Sequence, residues 1–340
     1  MSRSARRGQR ARIAAAALVL LTGLGVAAGF GLGAGMGAHP GAGRRPVATA
    51  DDDQITPPAA TPTRRVGGSR VVLAAGLAPR VGTRFTSITL IHAGRSRAYL
   101  LVHDATSAHA PLIVLLHGSG ITAEGELART GFGPLAAAQH LDLAVPQSIG
   151  STWNSGRCCG AALRQRVDDA GFVHQVVQDA IRRLASDPHR VYLVGYSNGG
   201  KLAYGVACAL RGGLAALATY GAGPQLPCPH QAALSVFQGY GANDPLEPPA
   251  GKPANDRGLH PPAEQTLAGI LARNGCPGAP QVRSVGSATI RTWTGCAGGR
   301  RVQAVRWAAQ SHSWPAAPQV PSAASATALM WQFLASIPPA

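Results

Sequence analysis

A short apolar run, Val191-Tyr192-Leu193-Val194, passes without a break through Gly195-Tyr196-Ser197-Asn198-Gly199 into a second apolar stretch that ends near Leu210. The first run has the length of a buried strand and the second that of a helix. A very tight turn must join them, and glycines suit positions 195 and 199 because strand and helix backbones approach closely there. Such a turn leaves the Ser197 hydroxyl exposed at the carboxyl end of the strand, above a helix N-terminus. In a chain with 43 glycines the pentapeptide alone constrains little. Its place between strand and helix is what carries weight, against the plain alternative of an ordinary serine in a strand-to-helix turn.

The rest of the chain fits an alternation of strands and helices. Residues 85–92 and 97–103 are rich in β-formers and read as a hairpin about Ala93-Gly94-Arg95. Continuous apolar runs at 112–116, 141–145, 190–194, 214–219 and 234–237 have the texture of buried parallel strands. Helical spacing marks 168–185, where Phe172, Val173, Val176, Val177, Ile181 and Leu184 share one side, and helices are also expected at 198–210, 263–274 and 323–334. Strands are expected at 283–293 and 302–308. The order predicts an α/β architecture: a mostly parallel central sheet with an antiparallel N-terminal hairpin and helices on both faces.

Residues 1–50 hold seven arginines and no acid, with an uncharged apolar and glycine-rich run from Ile13 onward. This is the pattern of an export signal or a membrane anchor. Residues 51–69, opening on Asp51-Asp52-Asp53 and rich in Pro, Ala and Thr, read as a flexible linker. The catalytic domain is then expected over 70–340. The formal charge of +16 is partly the leader's; the remaining 24 basic and 15 acidic residues leave a surplus of nine, spread along the chain and almost all arginine. No basic stripe interleaved with aromatics is present, so nucleic acid is not an expected partner. All six cysteines follow the leader, and an even count in an exported chain argues for disulfides. Six cysteines allow 15 pairings; a bond between neighbours is strained, so Cys158 and Cys159 are expected to reach different partners. No C-x-x-C or H-x-x-x-H spacing supports a metal site.

A serine nucleophile needs a base, and the base an orienting carboxylate. Asp244 stands in the turn Gly241-Ala242-Asn243-Asp244-Pro245 after the 234–237 strand, where active sites of open α/β sheets form; Asp256 has no strand before it. Of the downstream histidines, only His312 follows the last strand and precedes the last helix, while His230 and His260 read as surface loop residues. The developing oxyanion needs two donors, expected from the backbone N–H of Asn198 and of Ser119, in His117-Gly118-Ser119-Gly120. His117 is expected to be structural. Trp153, Tyr196 and Trp314 border these loops and are candidate pocket residues, with packing as the alternative. Asp168 and Asp169 open a helix, and N-capping and favourable dipole placement explain at least one of them.

With these residues in view, the chain resembles the polyhydroxybutyrate-depolymerase and feruloyl-esterase-like secreted esterases, relatives of the acetyl xylan esterases. The matching stretches include Leu116-His117-Gly118-Ser119-Gly120, Trp153-Asn154-Ser155-Gly156-Arg157-Cys158-Cys159-Gly160, Val167-Asp168-Asp169-Ala170-Gly171-Phe172-Val173, Asp187-Pro188-His189-Arg190-Val191-Tyr192, Ser197-Asn198-Gly199-Gly200, Ala242-Asn243-Asp244-Pro245 and His312-Ser313-Trp314-Pro315. The resemblance spans roughly residues 85–335. It implies an α/β-hydrolase fold, a Ser197–His312–Asp244 triad acting on carboxylic esters without cofactor or metal, and a Cys276–Cys296 disulfide. Two departures touch substrate preference: Gln238-Gly239 stands where a His-Gly pair is usual, and Gln310-Ser311 where a glycine pair is usual.

The expectation is an exported, monomeric serine esterase acting on small hydroxyalkanoate, feruloyl or acetyl esters, or on ester groups of glycans and phenolics. An envelope acyltransferase with the same triad and a non-catalytic anchored binding module are the alternatives.

Overall fold

The computed structural model describes residues 83–104, 109–210, 212–230 and 232–339. The expected leader and linker lie outside the described residues, and the described fold opens on a hairpin, β1 (Thr83–His92) and β2 (Arg95–Asp104). Its two-residue turn, Ala93-Gly94, has positive φ at both positions, the geometry that matches the twist of paired strands. There follow β3 (Leu112–Leu116), α1 (Ala123–Thr130), α2 (Phe132–Gln139), β4 (Asp142–Pro146), the short α3 (Gly160–Arg164) and α4 (Asp169–Leu184). The second half holds β5 (Val191–Tyr196), α5 (Asn198–Leu210), β6 (Ala216–Tyr220) and β7 (Ser235–Gly241). It continues through a small hairpin, β8 (Lys252–Asn255) and β9 (Gly258–His260), then α6 (Ala263–Arg273), β10 (Gln281–Val285), β11 (Ala288–Trp293), β12 (Val302–Trp307) and α7 (Ala326–Ala335).

Ten strands form one sheet in the order β1-β2-β4-β3-β5-β6-β7-β12-β11-β10. The six central strands are parallel, and an antiparallel pair closes each edge. The expected N-terminal hairpin is one of these edges. The other corrects the reading of 283–293 as one strand: Gly286, at positive φ, turns the chain back between β10 and β11. Side chains alternate across the sheet as the two-residue period requires. Leu112, Val114 and Leu116 join the core under α4, α5 and α6, while Ile113 and Leu115 join the core under α1, α2 and α7. β3 is therefore apolar throughout, because both of its faces are covered.

The chain crosses from one side of β3 to the other between β4 and β5. At such a switch point the loops leaving adjacent strands diverge and open a crevice at their carboxyl ends. The loops after β3 and β5 meet there.

One other reading of the sequence changes, and one is made specific. Cys158 pairs with Cys159, because Cys208 pairs with Cys228 and Cys276 with Cys296, leaving the neighbours only each other. The two aspartates that open α4 have separate roles: Asp168 caps the helix by accepting from the Gly171 N–H, while Asp169 is buried against Arg97 at 2.7 Å.

Candidate active site

Ser197 has φ of 52°, a left-handed backbone conformation that costs a non-glycine residue energy and is held only by its surroundings. Its N–H donates to the Tyr220 carbonyl at 2.9 Å and its own carbonyl accepts from the Lys201 N–H at 2.9 Å. The flanking glycines permit the turn. A Cβ at Gly195 would lie 2.6 Å from the Gly199 carbonyl oxygen, and one at Gly199 would run into the carbonyls of Leu116 and His117. The sharp turn thus presents the Ser197 hydroxyl at the end of β5 and sets it beside the loop after β3.

The hydroxyl donates to His312 Nε2 at 2.8 Å, and His312 Nδ1 donates to Asp244 Oδ2 at 2.6 Å. The second oxygen of Asp244 accepts the N–H groups of Leu246 and Glu247, both at 2.8 Å. Burial alone would raise the pKa of this carboxyl; the His312 hydrogen bond and charge and the two N–H groups outweigh it and hold Asp244 below its ordinary value. An ionised Asp244 fixes the proton of His312 on Nδ1, so that Nε2 faces Ser197 as an acceptor.

The histidine loop is pinned from several sides. Tyr196 donates its hydroxyl to the His312 carbonyl, Tyr220 donates to the Ser311 carbonyl at 2.8 Å, and the Asn243 N–H donates to the Gln310 carbonyl at 3.0 Å. Gln310, one of the two departures noted in the sequence, folds its amide onto Ser313, donating to Oγ at 2.8 Å and to the carbonyl at 3.1 Å. Gln238, the other, donates to the Ala263 carbonyl at 3.1 Å.

Ser119 and Asn198 share a cleft of about 490 Å³ with Ser197, His312, Tyr196 and the Cys158–Cys159 pair. The first N–H groups of a helix have no intrahelical acceptor, and α5 begins at Asn198. The Asn198 side chain has another task. Its Oδ1 accepts the Trp153 N–H at 2.7 Å, and its amide donates to the Trp153 carbonyl at 3.1 Å and toward Cys158 Sγ at 3.6 Å. The residue after Ser197 therefore clamps the 153–160 segment against the cleft. His117 is structural: it is buried, accepts the Ser148 N–H at Nε2, and burial lowers its pKa to about 4.

Of the three aromatic candidates, Tyr196 lines the cleft and the two tryptophans do not. Trp153 is fully buried, donating its indole N–H to the His117 carbonyl at 2.9 Å. Trp314 packs against Phe132, Tyr196 and Tyr220 and donates to Thr327. Both support the loops from behind. What the sequence reading missed is a charged wall formed by Lys201, Glu247, Asp256 and Arg257. A lone lysine inside the apolar helix after Ser197 was the available signal. His260, expected to be a surface residue, is buried behind this wall, while His230 is exposed.

Sheet order, switch-point crevice and the strand–serine–helix turn define the fold as that of the α/β-hydrolases. No family model matches the chain. It is 32% identical over 174 residues to a protein of Nocardia uniformis subsp. tsuyamanensis named "Putative esterase NocK", a match covering 48% of this chain and 49% of that protein. The chain thus spans about half the length of the curated relative it matches. Among solved structures, an acetyl xylan esterase from Aspergillus awamori superposes with a TM-score of 0.49 at 12% identity, covering 74% of this chain and 96% of that one. The poly(3-hydroxybutyrate) depolymerase LpqC from Bordetella parapertussis gives a TM-score of 0.42 at 18% identity, covering 57% of this chain and 80% of that one.

Proposed function

We propose that this chain is an exported serine esterase that hydrolyses carboxylic esters through Ser197, His312 and Asp244. The observation that carries the reading is the continuous hydrogen-bonded chain from Ser197 Oγ through both His312 nitrogens to a buried Asp244, at the carboxyl end of β5. Similarity to a protein named as an esterase supports it. The three cysteine pairs and the basic, then apolar, N-terminal sequence support export.

In this mechanism Ser197 Oγ attacks the ester carbonyl carbon while its proton passes to His312 Nε2. The carbonyl oxygen becomes an oxyanion, received by the N–H groups of Ser119 and Asn198. As the tetrahedral centre collapses, the C–O bond to the alcohol breaks and the alkoxide takes the proton from His312. Water then enters, gives a proton to His312 and its oxygen to the acyl carbon. The Ser197–acyl bond breaks, releasing the acid and returning the proton to Oγ. Asp244 keeps the imidazole oriented and balances its charge in both halves.

The decisive experiment is hydrolysis of 4-nitrophenyl butyrate by the purified protein and by Ser197→Ala, together with labelling by a fluorophosphonate. Wild-type turnover and labelling at Ser197, with both lost in the variant at unchanged melting temperature, are expected. Undiminished turnover by Ser197→Ala, or label on another residue, overturns the assignment. The acyl range, from acetyl to 3-hydroxybutyryl and feruloyl, is read from the same assay with a panel of esters.

A further inference from the structure

The charged wall of the cleft is built from the nucleophile's own helix outward. Lys201 lies one helical turn beyond Ser197, with its side chain 2% exposed. Its ammonium donates to Glu247 Oε1 and to the Arg257 carbonyl, both at 2.7 Å. His260 Nδ1 lies 3.0 Å from the same Glu247 oxygen, its Nε2 lies 2.9 Å from Asn255 Oδ1, and that oxygen also accepts the Arg257 N–H at 2.8 Å. Burying an ammonium costs several kcal/mol unless it is closely paired, so the tip of the β8–β9 hairpin is held where these partners place it. The backbone of Arg257 is gripped at both its N–H and its carbonyl.

The side chain of Arg257 has a different situation. It is exposed, it lines the same cleft as the Ser197 hydroxyl, and no carboxylate among the described residues lies within ion-pair distance of it. Lys201 is occupied by Glu247, and Lys252 donates to the Pro245 carbonyl at 3.2 Å. Both Lys252 and Arg257 press on the Lys201 ammonium, lowering its pKa after burial has done most, against the opposing pull of Glu247. Two cations, Lys201 and Arg257, thus line the cleft beside Glu247 and Asp256, while Lys252 acts on Lys201 from outside the lining. Asp256 also lines the cleft, but the floor tips the balance, because the N-terminus of α5 adds its positive dipole end.

We propose that Arg257 is the specificity residue of this cleft and that the preferred ester carries a carboxylate close to its scissile bond. This specificity rests on the serine-esterase reading, with the guanidinium free to take the substrate's second acidic group while the acyl carbon sits at Ser197. A charge-assisted, partly exposed pair of this kind contributes about a tenfold preference.

The test compares 4-nitrophenyl butyrate with mono-4-nitrophenyl succinate, in which a carboxylate replaces the terminal methyl, and with 4-carboxyphenyl butyrate, which puts the carboxylate on the alcohol. Wild-type kcat/KM is expected to favour one anionic ester over the neutral one by about tenfold at low salt, less at high salt. Arg257→Ala should erase that ratio and Arg257→Lys retain part of it. Arg283→Ala, which removes an equal charge from the exposed β10 edge, should leave the ratio alone. A wild-type preference for the neutral ester over both anionic ones, or an Arg257→Ala ratio equal to wild type, overturns the proposal while leaving the esterase reading intact. Calorimetric binding of monomethyl succinate to Ser197→Ala, with and without Arg257→Ala, reads the same site without turnover. About tenfold weaker binding in the double variant is expected, and equal binding overturns the proposal even where no ester is hydrolysed.

Discussion

Two groupings of serine, histidine and aspartate lie in this molecule, and they differ in the order of their hydrogen bonds. At the carboxyl ends of the parallel strands, histidine is the middle member: Ser197 donates to His312, and His312 donates to Asp244. At the opposite end, Asp142, the first residue of β4, is the middle member. It accepts from His103 Nδ1 at 2.6 Å and from Ser186 Oγ at 2.5 Å. The second grouping ties β2 to the turn between α4 and β5. Its serine donates to a carboxylate, where Ser197 donates to an imidazole nitrogen, and Ser186 itself does not adopt the left-handed backbone of Ser197. Composition is shared; the order of donors and acceptors, and the place on the sheet, separate a nucleophile from a clasp.

The largest expected contrast is between the two serines. Ser197→Ala should lower ester turnover by about 10⁴-fold or more, while Ser186→Ala should stay within about twofold and lose about 1 kcal/mol of stability. Equal effects on turnover would erase the distinction. The aspartates should divide in the same way. Asp244→Asn should cost on the order of 10³–10⁴ in kcat by turning His312 to the wrong tautomer. Asp142→Asn should retain turnover but lower the urea midpoint, by about 1–3 kcal/mol for a buried partner lost.

A third buried acid sharpens what a partner does for a carboxylate. Glu126 is fully buried and burial raises its pKa to about 7 from 4.5, although Arg129 at 2.5 Å and the Gly118 N–H pull the other way. The folded state therefore holds this proton where the unfolded chain has released it, so stability falls as pH rises from about 4.5 to about 7. Asp244 behaves oppositely: its depressed pKa contributes stability above the ordinary value of 3.8, lost as pH falls through the folded value. Glu126→Gln should flatten the decline between pH 4.5 and 7 in denaturant melts; an unchanged slope would place the buried proton elsewhere. A smaller loss of turnover than at Ser197 or Asp244 is expected of Tyr196→Phe. It removes the hydroxyl donated to the His312 carbonyl and keeps the ring, so kcat should fall by about threefold to tenfold, as one neutral hydrogen bond allows.

The central sheet was legible because buried parallel strands are short continuous apolar runs. The boundaries moved by a few residues, as where the expected 234–237 extends to Gly241. Elements without a period were not legible. α1 and α2 are eight residues each, separated by Gly131 at positive φ, too short for an apolar stripe to recur. β8 and β9 are brief, and β8 is largely exposed, so nothing in their pattern separates them from loop. The candidate site divides along the same line. Ser197, Asp244 and His312 were picked out because each follows a recognisable strand, and the structure brings the three together. Arg257, Glu247 and His260 lie on or beside the hairpin with no period, and Trp153 and Trp314 look the same in sequence whether they face a cleft or a core.

By itself the sequence determined the alternation of strands and helices, the tight turn at Ser197 and which carboxylate and histidine follow the right strands, because periodicity and glycine placement are local properties of the chain. Tertiary structure alone decided that Cys158 bonds to Cys159, that Trp153 and Trp314 turn inward, and that Lys201 reaches across to Glu247 and Arg257. Those outcomes depend on which distant segments compete for the same space and the same charge, and no local pattern carries that information.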